Sequence, residues 1–90
     1  MVVDWDDDKN VKNFKKHGVC FEEAATVFTD PLAKTALDNY PLEERYVTIG
    51  LSEAQRLILV IHSEVSEEQI RVISARGLTR KEKNDYEEGI

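Results

Sequence analysis

Five cations gather late in the 90-residue chain: Arg71, Arg76, Arg80, Lys81 and Lys83 fall within 13 residues. Guanidinium stays charged at physiological pH and matches the geometry of phosphate, so this cluster suits an anion. Salt bridges and solvated charge account for it equally well. Arg80 sharpens the question, because Thr79-x-x-Glu82 has the pattern of a capping box. That pattern puts Arg80 in a first helical turn, where a cation needs an anion or an acidic neighbour to compensate the dipole. His17, after Lys15 and Lys16, suits either bonding to the last carbonyls of a helix or general acid–base work near neutral pH. His62 ends an apolar run and reads as a half-buried structural residue, while Glu43 and Glu44 before Arg45 read as a loop with locally paired charges. Trp5, Tyr46 and Tyr86 carry faces on which bases stack, although Trp5 on a short strand fits a core better.

Several chemistries are excluded by what is missing. The chain has no Gly-rich phosphate loop, His-x-x-x-His, Cys-x-x-Cys or Gly-x-Ser-x-Gly. Two histidines and one cysteine, far apart, make a poor transition-metal set. Asp4, Asp6, Asp7 and Asp8 read as the charged start of a helix rather than a Mg2+ site. No metal or cofactor is therefore expected. The net charge of −6 opposes free nucleic-acid binding, since acids outnumber bases ten to six in residues 1–45 and eight to six in residues 46–90. RNA chemistry would need a local basic patch and help from a partner. Cys20 has no partner for an internal disulfide, and Met1 to Asn10 lacks the apolar stretch of a secretion signal. No run approaches the ~20 apolar residues of a membrane span, so a cytoplasmic protein is expected.

The elements that must position these groups follow from periodicity. Val2 to Trp5 makes a short strand, and Asp6 to Asp8 load the start of a helix that stops at Gly18. Phe21, Ala24, Ala25 and Phe28 recur at helix spacing before Asp30-Pro31. The period then becomes two: a weak strand over Ala33–Leu37, a clear one over Arg45–Leu51, a buried one over Leu57–His62 and another over Ile70–Ala75. A polar helix runs from Thr79 to near Gly89. Regular alternation puts Arg71 on the face opposite Val72 and Ser74, and Arg76 on the Val72 side. Short connections require antiparallel pairing. The expected fold is α+β: two N-terminal helices, a three- to four-stranded antiparallel sheet and a C-terminal helix.

Whole segments resemble a known family. Asp4-Trp5-Asp6, Lys9, Asn13, Lys16-His17-Gly18-Val19, Phe21-Glu22-Glu23-Ala24 and Phe28-x-Asp30-Pro31 are similar to the N-terminal half of the BrnT toxins. Glu44-Arg45-Tyr46, Ile49-Gly50, the Leu57–His62 strand, Ile70 to Arg76, Thr79-Arg80 and Glu82 continue the likeness in order. The resemblance implies one toxin domain over residues 1–90, a RelE-like fold and RNA cleavage that stops growth. It also implies neutralisation by a BrnA-like ribbon-helix-helix antitoxin, with operator DNA bound only through that partner. The implied reaction is metal-independent: a 2′-hydroxyl attacks the adjacent phosphate, with Arg71 and Arg76 stabilising its charge and His17, then Glu44, as acid–base candidates. Lys16, Arg45, Arg80 and Lys81 are the expected RNA contacts. Two departures stand out: Val65 where many relatives carry arginine, and Gly77-Leu78 after the strand-end arginine. The first removes a phosphate contact and supports a rival reading, a degenerate toxin that only binds its antitoxin and tunes transcription.

Overall fold

Asp6 accepts the Lys9 amide at 3.0 Å and thereby caps α1 (Asp7–His17), which Gly18 ends in the left-handed region at φ 72°. The chain, seen in a computed structural model that describes residues 1–39 and 41–88, begins one step earlier with β1 (Val2–Asp4). After α1 come α2 (Phe21–Thr26) and a 3-10 turn, Val27–Thr29, in place of one longer helix. Four strands follow: β2 (Lys34–Asp38), β3 (Arg45–Leu51), β4 (Leu57–Ser66) and β5 (Gln69–Gly77). The last element is α3 (Arg80–Glu88), opened by the expected capping box, with Thr79 and Glu82 exchanging bonds of 2.9 and 3.1 Å. Its expected end near Gly89 lies outside the described residues.

The sheet has the order β1-β5-β4-β3-β2. Strands β2 to β5 form the expected antiparallel meander. The sheet nevertheless has five strands and is mixed, because β1 adds to β5 in parallel, with Val3 beside Ile70. The α+β class stands; the strand count and the purely antiparallel pairing are corrected.

Helices α1 and α2 and the 3-10 turn cover one face of this sheet. Val19, Phe21, Ala24 and Val27 meet Ile58, Val60, Val72 and Ala75 in a fully buried cluster, with Val3, Trp5 and Phe28 at its margin. Val72 and Ala75 are an odd number of residues apart and yet face the same core. The cause is a bulge: Ile61 pairs with Ser74 and His62 with Val72, leaving Ile73 as the extra residue. The bulge reverses the alternation beyond it. Ser74 and Arg76 therefore share the Arg71 face, not the Val72 side expected for a regular strand.

Asn13 fastens α1 to this sheet. It is 8 % exposed, its amide donates to the Val19 and Ala75 carbonyls at 2.8 and 2.7 Å, and its carbonyl accepts the Ala75 amide at 3.2 Å. The β3–β4 turn is held in turn by α2: Glu23 accepts from Ser52 and forms an ion pair with Arg56. Close approach also explains Gly50. A Cβ there would lie 2.9 Å from both Ala33 Cβ and Val27 Cγ1. Gly50→Ala is accordingly expected to cost about 1–3 kcal/mol, measured by urea unfolding; unchanged stability would show that the 3-10 turn yields freely.

Candidate functional site

The face without α1 and α2 carries the arginines. Arg71 pairs across the strands with Ser63 and with Asp4. Arg45, one position before the Tyr46–His62 pair, stands on the other side of Ser63 and opposite Asp38 on β2. One row thus crosses the sheet with two guanidinium groups about 10 Å apart at the backbone, two strand spacings. Val47 and Ile61 form the half-buried floor beside it. Such a shallow surface with two fixed cations suits a flat polyanion better than an enclosed small molecule.

Each arginine is pre-oriented by a carboxylate. Arg71 reaches Asp4 through Nε and Nη2 at 3.1 and 3.2 Å, and Gln69 donates to the same carboxylate at 2.6 Å. The hydrogen bond from Arg71 holds the Asp4 carboxyl below its ordinary range. Arg45 donates to Glu43 at 2.7 Å. Glu44 accepts from the Tyr46 hydroxyl, and that bond raises the phenol pKa, so Tyr46 stays protonated.

The other end of this face lies under α3. Arg76 forms a two-pronged pair with Glu82 at 2.7 and 2.8 Å, which drops the Glu82 carboxyl to about 2. Tyr86 bonds the Leu32 carbonyl at 3.2 Å, and the Lys34 ammonium sits 5.4 Å from its ring centroid. An apolar cleft of 330 Å3 remains between α3 and the strands, lined by Ala36, Val47 and Ile49 among others.

The residues expected to act together fall into separate groups. Arg71 and Arg45 share the row described above, whereas Glu44 turns with Tyr46 to the opposite face. Arg76 shares their face but is engaged by α3, on which Arg80 and Lys81 are exposed. Lys16 and His17 are exposed at the end of α1, one turn beyond the Asn13–Ala75 contact. Since α1 runs from Lys9 near Arg71 to Asn13 near Ala75, His17 stands at the opposite end of the sheet from Glu44 and Arg45. His62 is wholly buried at 1 % exposure, more than expected: Nε2 is 2.7 Å from Thr48 Oγ1, Tyr46 stacks on its ring and Phe28 meets it edge-on. Two structural roles escaped the sequence reading, the Asn13 clamp and the Asp4 support of Arg71. A charged residue before a helix or an amide within one looks the same in sequence whether solvated or clamped. Among the described residues, no group of three or more His, Cys, Asp and Glu could hold a metal ion, and no helix is long and apolar enough to cross a membrane.

Residues 5–82 match the family model of the ribonuclease toxins of type II toxin–antitoxin systems. The chain belongs to that family, BrnT. Among solved structures it is similar to the Brucella abortus ribonuclease toxin BrnT: 26% identity, a TM-score of 0.66, and coverage of 89% of this chain and 99% of that one. A search of curated proteins finds no match.

Proposed function

We propose that this chain is an endoribonuclease toxin that cleaves RNA on the sheet face opposite α1 and α2. The observation that carries the reading is the Arg45–Ser63–Arg71 row, two oriented guanidinium groups on an open surface, in a chain of a ribonuclease toxin family. The 2′-hydroxyl attacks the adjacent phosphorus, forming the new P–O bond as the P–O5′ bond breaks. Solvent water takes the hydroxyl proton, and the departing 5′-oxygen is protonated from water. Arg71 and Arg45 hold the charge that grows on the phosphoryl oxygens. Neither acid–base candidate reaches the row: His17 stands at the far end of the sheet, and the Glu44 carboxyl is held by Tyr46 on the opposite face. No step requires a metal or cofactor. Inhibition of translation follows from loss of transcripts.

The partner fits the same reading. A type II antitoxin that covers the toxin and supplies a basic DNA-binding surface offsets the net charge of −6; a BrnA-like ribbon-helix-helix protein meets that description. Its place is the cytoplasm, where RNA and operator are found. A non-catalytic reading is favoured by one specific feature, the exposed Val65 near the end of β4, at the position where the family resemblance implies arginine.

Arg71→Ala separates the two. The purified wild-type chain should cut single-stranded RNA in the presence of EDTA, and the variant should do so about a hundredfold more slowly, the usual effect of deleting one group that stabilises transition-state charge. Equal rates would remove Arg71 from the site, and absence of cleavage by folded wild type would leave the antitoxin-binding module.

A further inference from the structure

Every arginine between positions 45 and 76 is held by a carboxylate: Arg45 by Glu43, Arg56 by Glu23, Arg71 by Asp4 and Arg76 by Glu82. The lysines of α1 differ. Lys9, Lys12, Lys15 and Lys16 are exposed and form no ion pair among the described residues. From Lys9 to His17 the helix carries no acidic residue, in a chain whose acids otherwise prevail. The helix dipole accounts for Lys15 and Lys16 in the last turn. It does not account for Lys12 at mid-helix, and it disfavours Lys9 in the first turn.

Lys9, Lys12 and Lys16 follow the spacing i, i+3, i+7 and so form one stripe about 10 Å long. Asn13 adjoins that stripe on the helix surface and holds α1 against β5, so the lysines run along the β1–β5 margin of the sheet. At the first lysine the stripe meets a cleft of 380 Å3 lined by Trp5, Asp6, Lys9 and Arg71. Trp5 is half-buried, edge-on to Phe21 at 6.3 Å, and is thereby held rigid where it lines the cleft. Asp4, Asp6, Asp7 and Asp8 stand close by. Their charge repels phosphate from the cleft itself but not an uncharged base.

We propose that α1 is a docking track for single-stranded RNA, in which Lys9, Lys12 and Lys16 take backbone phosphates and the Trp5 cleft takes one base. The ligand class rests on the ribonuclease reading above. Arg71 belongs to both the cleft and the sheet-face row, so a strand seated on α1 is led to the row where cleavage is placed. Lysines supply phosphate affinity without sequence choice, and an aromatic wall accepts any base.

The test uses the full chain and a single-stranded 2′-O-methyl RNA, which lacks the attacking hydroxyl and reports binding alone. Lys9→Gln/Lys12→Gln should lower affinity on the order of tenfold near 0.1 M salt and flatten the slope of log K against log salt by about 1.4, two phosphate contacts' worth. Lys83→Glu on α3 makes the same change in net charge and should leave both quantities alone. Trp5 is the sole tryptophan, so its emission should change as RNA binds. Equal affinity and slope in the lysine variant, bound RNA with unchanged Trp5 emission, or a wild type that binds no RNA would each overturn the track. Cleavage of the all-ribose strand is scored separately. Binding through the lysines without any cutting overturns the ribonuclease reading and leaves the track; cutting with unchanged KM in the lysine variant does the reverse.

Discussion

Asn13→Ala should lower the unfolding free energy by about 3–4 kcal/mol, because it strips partners from buried backbone groups that water cannot reach, at ~1–3 kcal/mol each. The groups are the carbonyls of Val19 and Ala75 and the amide of Ala75. The first lies in the junction between α1 and α2 and the other two in β5, the strand that carries Arg71 and Arg76, so the side chain ties α1 to both. Total stability for a domain of this size is ~5–15 kcal/mol, and the variant would stand near the edge of folding at 37 °C. Asn10→Ala provides the contrast. Asn10 also bonds across the helix junction, accepting from the Phe21 amide at 2.7 Å and donating to Glu22 at 2.8 Å, but next to solvent. Its loss should cost about 1 kcal/mol. Urea unfolding of both variants decides the matter; equal costs would mean that the burial of Asn13 is not what makes its bonds valuable.

The second large effect is a dependence of stability on pH that originates at His62. Burial lowers its pKa to about 4 from the ordinary 6.5. The cause is visible in its surroundings: Phe28, Tyr46 and Thr48 enclose the ring, and Nδ1 has no hydrogen-bond partner among the described residues. Imidazolium there would place an unpaired N–H in the core. A histidine that is neutral in the fold and charged once unfolded contributes full stability above pH 6.5, and loses it as pH falls from 6.5 towards 4. The amplitude is about 3 kcal/mol, most of it spent above pH 4.5, before the carboxylates of Asp4, Glu23 and Glu82 lose their own lowered-pKa contributions. His62→Gln should flatten the profile between pH 6.5 and 4.5. Resonances of the His62 imidazole that titrate near 6.5 in the folded protein would contradict this.

How much of this was legible in sequence depends on the range of the cause. Local causes were readable. The Asp6 cap, the Gly18 stop and the Thr79–Glu82 box each arise within four residues. Alternation along Arg45–Leu51 and the apolar run of Leu57–His62 found the two central strands. Three features depend on contacts far along the chain. The pairing of β1 joins residues 2–4 to residues 69–71, and nothing in a three-residue strand declares its partner. The extension of β4 through Ser66 is polar because it is exposed, so it resembles a turn until β5 is seen beside it. The Ile73 bulge then changes the face of every residue after it, and Arg76 with them. A single extra β-branched residue in a β-branched strand leaves no compositional trace.

The site was legible as residue types and not as a constellation. Arg45, Arg71 and Glu44 were singled out; the fold brings the two arginines into one row and turns Glu44 to the opposite face. His17 was singled out with them because an imidazole beside lysines suits acid–base chemistry, yet its helix carries it to the far end of the sheet. Chemical suitability can be read from a side chain alone, whereas convergence requires the sheet register.

The central claim is that this chain cuts RNA at the Arg45–Ser63–Arg71 row. The most direct measurement is induction of the chain in bacteria beside a soluble Arg71→Ala variant, with growth followed and RNA ends sequenced. The account predicts growth arrest and new internal RNA ends for the wild type, both much reduced in the variant. Arrest with intact transcripts, or normal growth with abundant folded protein, would contradict it.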